Sequence, residues 1–323
     1  MAKETVIIGS SNMDLNIYLK RFPNPGETVT GGTFKQFLGG KGANQAVAAV
    51  RSGASTIFIG KIGNDSYGEQ MISQLSKEGI NMNYIIRDSE EASGVAFILV
   101  DERGENMISV APGSNFRLTS EEIQSCADII KSSSTIIVQM EIPMNTIKEI
   151  FNMASYGTTI KILNPAPLKP IPLGILEKVD ILVPNEGELY SLCSLVGFED
   201  IPGEGEVKIE NASKKISELG IKYIITTLGS RGCIVYSKEG EKSVKIPAIK
   251  VKAIDTVGAG DCFIGVLASK LSSGETILNA VKYATVAASI AVTRKGAQNS
   301  MPYLDEIEEK IEQLDLELDT KGN

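Results

Sequence analysis

The chain has 323 residues, 42% apolar and 22% charged, with a formal net charge of −8. This size and mix allow an α/β domain with a sizeable core and a small appendage, and the acidic balance, without a basic stripe, excludes a nucleic-acid partner. Histidine is absent, which excludes Ser-His triads and His-ligated metals and leaves base catalysis to a carboxylate, Lys, Tyr or Cys.

Thr5-Val6-Ile7-Ile8 predicts a short buried strand with no charged-then-apolar leader before it. No apolar run approaches the ~20 residues of a membrane helix. The expected compartment is the cytoplasm, with no membrane partner. Gly9-Ser10-Ser11-Asn12-Met13-Asp14 then reads as a turn beyond the carboxyl end of that strand, where open α/β sheets bind ligands. Asn12 and Asp14 are suited to sugar hydroxyls, although both are ordinary turn residues as well.

Residues 15–38 carry β-branched and aromatic residues around Pro23, Pro25 and Gly31-Gly32, and predict strands outside the main sheet. Gly39-Gly40-Lys41-Gly42-Ala43-Asn44 follows. It fails as a Walker A loop because Gly42, not Ser or Thr, follows Lys41. It reads either as a loop using Lys41 and Asn44 to bind a polyhydroxylated ligand or as a plain loop into a helix ending near Ser52.

Thr56–Ile62 predicts a buried strand, and residues 65–78 a helix with Asp65 as N-cap. Residues 93–110 predict two strands joined at Asp101-Glu102-Arg103-Gly104. With 15–38 they form a small sheet from two insertions, able to close over a site or to pair with a second copy.

Short apolar runs at 134–140, 160–163, 181–183 and 223–227 alternate with helical patterns at 144–155, 186–195 and 210–219. This predicts a doubly wound, mostly parallel central sheet flanked by helices. Pro202-Gly203-Glu204-Gly205-Glu206 reads as a polar spacer loop. Residues 261–272 and 275–295 are helical, and an acidic amphipathic helix is expected from Leu304. Cys126, Cys193, Cys233 and Cys262 form no CxxC pair and read as small buried residues.

Three further motifs carry chemistry. In Pro184-Asn185-Glu186-Gly187-Glu188, Asn185 and Glu188 share a helix face and could hold Mg²⁺, or simply mark an acidic helix start. Thr227-Leu228-Gly229-Ser230-Arg231-Gly232 offers a nucleotide cradle or a hairpin turn. Asp255-Thr256-Val257-Gly258-Ala259-Gly260-Asp261 opens a helix. Its N–H groups suit a transferring phosphoryl group, with Asp261 placed to take a hydroxyl proton. A glycine loop with an ordinary N-terminal Asp is the plain alternative.

In order and spacing, GSSNMD (9–14), PGETVTG (25–31), GGKGANQAVAA (39–49), LNPAP (163–167), PNEGE (184–188), TLGSRG (227–232), DTVGAGD (255–261) and AVTRKGAQ (291–298) resemble the ribokinase family of phosphofructokinase-B-type carbohydrate kinases. The resemblance covers almost the whole chain. It implies one α/β domain over 1–323 and ATP-dependent phosphorylation of ribose at its 5-hydroxyl. Kinases of the same fold acting on 2-deoxyribose, fructose, a ketogluconate or a nucleoside are the alternatives, and a catalytically silent sugar- or nucleotide-binding regulator is the rival of another class.

By resemblance, Asn12, Asp14, Gly40, Lys41, Gly42, Asn44 and Glu141 would line the sugar. Asn185, Thr227, Gly229, Ser230, Gly232, Gly260 and Thr285 would meet ATP. Gly258, Ala259 and Gly260 would form the anion hole, and Asp261 would be the base. Glu188 would act near Mg²⁺. Asp255, Val257, Ala291, Arg294, Gly296 and Ser300 would hold K⁺, several through carbonyls. The two insertions would be a lid that also makes a homodimer contact.

This sequence departs from the family pattern at a few positions. Thr285 stands where some ribokinases carry an imidazole, and Cys262 and Ile264 replace a frequent Thr and Asn. Met13, between two sugar-binding positions, is expected to help tell related sugars apart.

Overall fold

A computed structural model describes the backbone of residues 4–321 and the side chains of residues 4–314. Among the described residues, thirteen strands form two sheets. In chain order they are β1 (Thr5–Ile8), β2 (Asn12–Tyr18), β3 (Thr33–Gly39), β4 (Thr56–Gly63), β5 (Ile85–Asp88), β6 (Gly94–Val100), β7 (Asn106–Ala111), β8 (Thr135–Val138), β9 (Ile160–Leu163), β10 (Ile181–Leu182), β11 (Tyr223–Thr227), β12 (Cys233–Ser237) and β13 (Lys242–Ile246). Nine make the large sheet in the order β13-β12-β11-β10-β9-β8-β1-β4-β5, and β3-β2-β6-β7 make the small one. The large sheet is parallel from β5 through β11, and β12 and β13 add antiparallel strands at one edge.

The helices are α1 (Lys41–Arg51), α2 (Ser66–Lys77), α3 (Ser120–Gln124), α4 (Ala127–Ser132), α5 (Met144–Ala154), α6 (Leu173–Leu176), α7 (Glu186–Leu195), α8 (Gly205–Ser217), α9 (Ala259–Ser272), α10 (Ile277–Ala291) and α11 (Leu304–Lys321). Alternation along the strands explains the layering. Val6, Ile8, Ile57, Ile59, Ile136 and Val138 join one core with residues of α3 to α8. Ile7, Phe58 and Ile137 point the other way, into a core shared with α1, α9, α10 and α11. Burial on both faces is why these strands read as unbroken apolar runs. A third cluster, Met13, Leu15, Ile62 and Met71, lies under the small sheet. Among the described residues no helix is long and apolar enough to cross a membrane.

Several boundaries differ from those expected. Asn12 and Asp14 are not in a turn; they lie in β2, paired with β3 and β6. Met13 therefore points away from them, into the third cluster. Lys41 and Asn44 lie on α1, not in a loop. Gly40 caps that helix at φ 87°, against the backbone of Ser11 and Asn12, where a side chain has no room. α8 starts inside the presumed spacer, because Ile209, Ala212 and Ile216 form a buried stripe behind a first turn containing Glu206. α10 ends at Ala291, short of Lys295.

One buried ion pair ties the end of α1 to a distant loop. Arg51 donates to both carboxylate oxygens of Glu78 at 2.7 and 2.8 Å, and its Nη1 to the carbonyls of Gln298 and Met301 at 2.9 and 2.8 Å. The two side chains are 10% and 9% exposed. Arg51→Met leaves a carboxylate and two carbonyls without their donor, and is expected to cost about 3–5 kcal/mol. Thermal unfolding followed by circular dichroism reads this directly, and an unchanged Tm would contradict it.

Candidate active site

The site lies beyond the carboxyl ends of β1, β8, β9, β10 and β11, where the first turns of α1 and α9 also meet. Gly258, left-handed at φ 74°, caps α9. A side chain there would crowd Ala297. Ala259, Gly260 and Asp261 make the first turn, whose N–H groups have no acceptor within the helix.

Asp261 is buried. Its Oδ2 accepts from Asn44 Nδ2 and its Oδ1 from Gln45 Nε2, each at 2.9 Å. Burial pushes its carboxyl above the ordinary carboxylate range, while Lys41, Asn44 and Gln45 oppose that shift. Lys41 is held charged, chiefly by Asp261 and further by Glu141, Glu188 and Asp14. Asn44 Oδ1 is buried and has no protein partner.

Asp14, half-buried on β2, has its carboxyl raised to about 7, first by burial and then by Glu141 and Asp261. Glu141 accepts from the Ser10 hydroxyl and, at 3.1 Å, from the N–H of Lys41, so a carboxylate 100 residues away stabilises the start of α1. Asn12 Oδ1 accepts from Asn115 Nδ2 at 2.8 Å, and Asn115 also holds Ser11 through its N–H at 2.9 Å.

Asn185 and Glu188 form a reciprocal cap at the start of α7, each side chain taking the other's N–H at 2.8 Å. Thr227 reaches this pair by a bridge to Asn185. A cavity of about 160 Å³ brings Lys41, Asn164, Asn185, Glu188, Thr227, Gly258, Gly260 and Asp261 together. A second of about 180 Å³ is lined by Ser10, Asn12, Asn115, Phe116, Glu141 and Lys169. An open cleft of about 640 Å³ extends past Asn185 and Glu188.

Gly229 and Ser230 sit in an exposed single turn between β11 and β12, so this segment is a hairpin connection at the rim of the site. Thr285 is buried on α10 beside Cys233, outside these three cavities. The segments around Asp255 and Gly296 are stitched together. Asp255 accepts from Gly296 N at 2.9 Å and Val257 N at 3.0 Å, and Ile254 and Asp255 both donate to the Val292 carbonyl. Ala291 and Ser300 lie on the same stretch, while the Arg294 guanidinium is turned to Glu306.

Sequence reasoning did not single out Gln45, Asn164, Gln139, Asn115 or Lys169. Gln45 and Asn164 stand inside the GGKGANQAVAA and LNPAP segments without an assigned role, and the fold alone brings Gln139, Asn115 and Lys169 to the site.

Residues 2–304 match the pfkB family of carbohydrate kinases. The chain belongs to that family. Among its relatives, the ribokinase of Staphylococcus aureus is 38% identical over 309 residues, covering 95% of this chain and 99% of that one. The bifunctional ribokinase/ribose-5-phosphate isomerase A of Fructilactobacillus sanfranciscensis is 37% identical over 317 residues, and the match spans 96% of this chain and 56% of that protein. The deoxyribokinase of Salmonella typhimurium is 34% identical, over 95% of this chain and 98% of that one.

Two solved structures of pfkB-type folds superpose closely. Thermotoga maritima ribokinase gives a TM-score of 0.88 at 37% identity, with 96% of this chain and 99% of that one covered. Arabidopsis thaliana ribokinase, complexed with ribose and ATP, gives 0.89 at 30% identity with the same coverage.

Proposed function

We infer that this protein transfers the γ-phosphoryl group of ATP to the 5-hydroxyl of D-ribose, giving ribose 5-phosphate and ADP. The observation that carries this reading is the buried Asp261 carboxylate, with both oxygens held by amides, at the N-terminus of α9. Similarity to ribokinases over nearly the whole chain supports ribose as acceptor. Similarity to a deoxyribokinase keeps 2-deoxyribose as the second candidate. An ATP-consumption assay over a panel of sugars tests the reading.

Asn12, Asp14, Gly40, Lys41, Gly42, Asn44 and Glu141 hold the sugar. Asn185, Thr227, Gly229, Ser230, Gly232 and Gly260 meet ATP, with Thr285 toward the base. Asp261 takes the proton of the 5-hydroxyl as that oxygen bonds to the γ-phosphorus and the bond to the β-phosphate oxygen breaks. The N–H groups of Gly258, Ala259, Gly260 and Asp261 receive the developing charge. The small sheet closes over a single domain as a lid and keeps out water, the competing acceptor.

Asp14, Glu141, Glu188 and Asp261 surround one lysine, a charge balance that repels polyphosphate. Glu188 keeps lone pairs beyond those used in its cap, and its fit is to Mg²⁺, which tolerates one carboxylate with phosphate and water ligands. Bound there, Mg²⁺ supplies the countercharge the phosphates need.

Asp255, Val257, Ala291, Arg294, Gly296 and Ser300 offer mainly carbonyl oxygens, which suit K⁺, and Asp255 already joins the two segments. K⁺ would order the loop leading into the anion hole without touching substrate. Adding K⁺ to an enzyme stripped of monovalent cations is therefore expected to raise kcat and leave the sugar KM nearly unchanged. Equal rates with and without K⁺ would remove this site from the account.

Three exposed apolar residues of the small sheet, Phe34, Phe97 and Met107, share the face that carries Met13 and Leu15, each at 53–55%. Such an apolar face fits a second copy of the chain, and we read it as a homodimer contact. A monomer mass in sedimentation velocity would contradict this.

A further inference from the structure

The structure points to a role for a residue that touches no substrate. We propose that Gln45, braced by Gln139 and Asn164, is the positioning residue that fixes the reactive orientation of the Asp261 carboxylate. This rests on the reading of Asp261 as the base.

Gln45 is fully buried in α1 and lines none of the cavities. An apolar residue would fill that place without needing partners, yet this amide is satisfied on both sides. Its Nε2 donates to Asp261 Oδ1 at 2.9 Å and to Asn164 Oδ1 at 3.2 Å, and its Oε1 accepts from Gln139 Nε2 at 2.6 Å. Asn164 in turn donates from Nδ2 to the carbonyl of Val183 at 3.1 Å.

These contacts fix the direction of the whole network. A backbone carbonyl only accepts, so Asn164 presents Nδ2 to Val183 and Oδ1 to Gln45. Gln45 must then turn Nε2 toward Asn164, which also aims an N–H at Asp261. Gln139 Nε2 then meets the Gln45 Oε1, while its own Oε1 is buried without a partner, so Gln139 follows this choice and does not set it. Two amides, Asn164 at the end of β9 and Gln45 on α1, therefore determine which atom meets the carboxylate, with Gln139 bracing the Gln45 oxygen.

The other donor to Asp261, Asn44, is held differently. Its Oδ1 is buried without a protein partner, so only one side of this amide is held. Gln45 is the partner held on both sides by protein groups. With Oδ1 held, the carboxylate cannot rotate freely, and the lone pair facing the cavity keeps its aim at the attacking hydroxyl.

Two effects follow from Gln45→Met, which keeps the side-chain length and removes the hydrogen bonds. Small misplacements of a catalytic group cost up to ~10²-fold, so kcat is expected to fall ~10–10²-fold while the KM values for ATP and ribose stay within a few-fold. The carboxylate also loses a donor that favours its charged form, while Lys41, Asp14, Glu141 and Glu188 around it are unchanged. The acid limb of the kcat/KM profile therefore moves to higher pH. Gln139→Met leaves the direct contact in place and loosens its brace, and gives smaller shifts in the same two directions.

The experiment is steady-state kinetics with ribose across pH for wild type, Gln45→Met, Gln139→Met and Asp261→Asn. A fall in kcat with a displaced acid limb in Gln45→Met supports the proposal. An unchanged kcat, or a loss confined to KM, overturns it. Should Gln45→Met fail to fold, Gln139→Met decides: a lowered kcat with a displaced limb supports the proposal, and wild-type kinetics overturn it. Activity retained in Asp261→Asn would instead sink the assignment of the base itself.

Discussion

Asp261→Asn is expected to lower kcat by ~10²–10⁴-fold, the usual contribution of a general base, while the dissociation constants for ATP and ribose stay within a few-fold of wild type. The substitution keeps size and one acceptor oxygen, so α9 and its anion hole should persist. What it removes is the only group at that position able to take the hydroxyl proton. The chain has no histidine, and Lys41 is held in its charged form by Asp261 and the surrounding carboxylates. Rapid-quench measurement of turnover beside calorimetric titration separates the two quantities. More than a tenth of wild-type turnover would remove Asp261 from the role.

The second large effect concerns the choice of sugar. Asp14 lies near Glu141 and Asp261, and in its proposed role the ionised carboxylate accepts bonds from neighbouring sugar hydroxyls. A site built to bond a hydroxyl rejects the analogue lacking it by up to ~10⁴-fold. Ribose is therefore expected to exceed 2-deoxyribose in kcat/KM, by less than that limit because Asp14 is only half-buried.

Asp14→Asn should remove most of this preference and alter the pH response. Because burial and the neighbouring carboxylates raise the Asp14 carboxyl to about 7, its charged fraction falls as pH drops through neutrality. Sugar binding favours the charged form, so the wild-type KM for ribose rises on the acid side of pH 7, and in Asp14→Asn this dependence is lost. A preference for ribose that survives the substitution unchanged would move selectivity to Lys41 or Asn44.

Much of this arrangement was legible in the sequence. The short apolar runs at 135–138, 160–163 and 223–227 are strands, and the breaks at 15–38 and 93–110 contribute to a second sheet. The boundaries that escaped depend on distant partners. α1 begins at Lys41 because Glu141 accepts its first N–H and Gly40 can hold φ 87°, neither of which a local reading of a glycine-rich stretch can supply. β2 begins at Asn12 because Gly39 and Gly94 flank it in the sheet. That register turned Met13 away from Asn12 and Asp14, beside which the sequence had suggested a selective contact.

The site shows the same division. Asp14, Lys41, Asn44, Asn185, Glu188 and Asp261 stand in motifs whose residue types announce chemistry, and the fold brings them to one region. Gln45, Gln139, Asn164 and Asn115 are amides whose significance lies in what they touch. Gln45 and Gln139 are 94 residues apart in the chain and 2.6 Å apart in the fold.

The most direct test of the central claim is phosphoryl transfer itself. Purified protein with Mg²⁺, K⁺ and ATP should convert ribose to ribose 5-phosphate with one ADP formed per sugar, at a kcat/KM above that for 2-deoxyribose, fructose or nucleosides, with ³¹P NMR locating the phosphate on the 5-oxygen. ADP formation no faster with ribose than without sugar, or a clearly better rate on another acceptor, would contradict it.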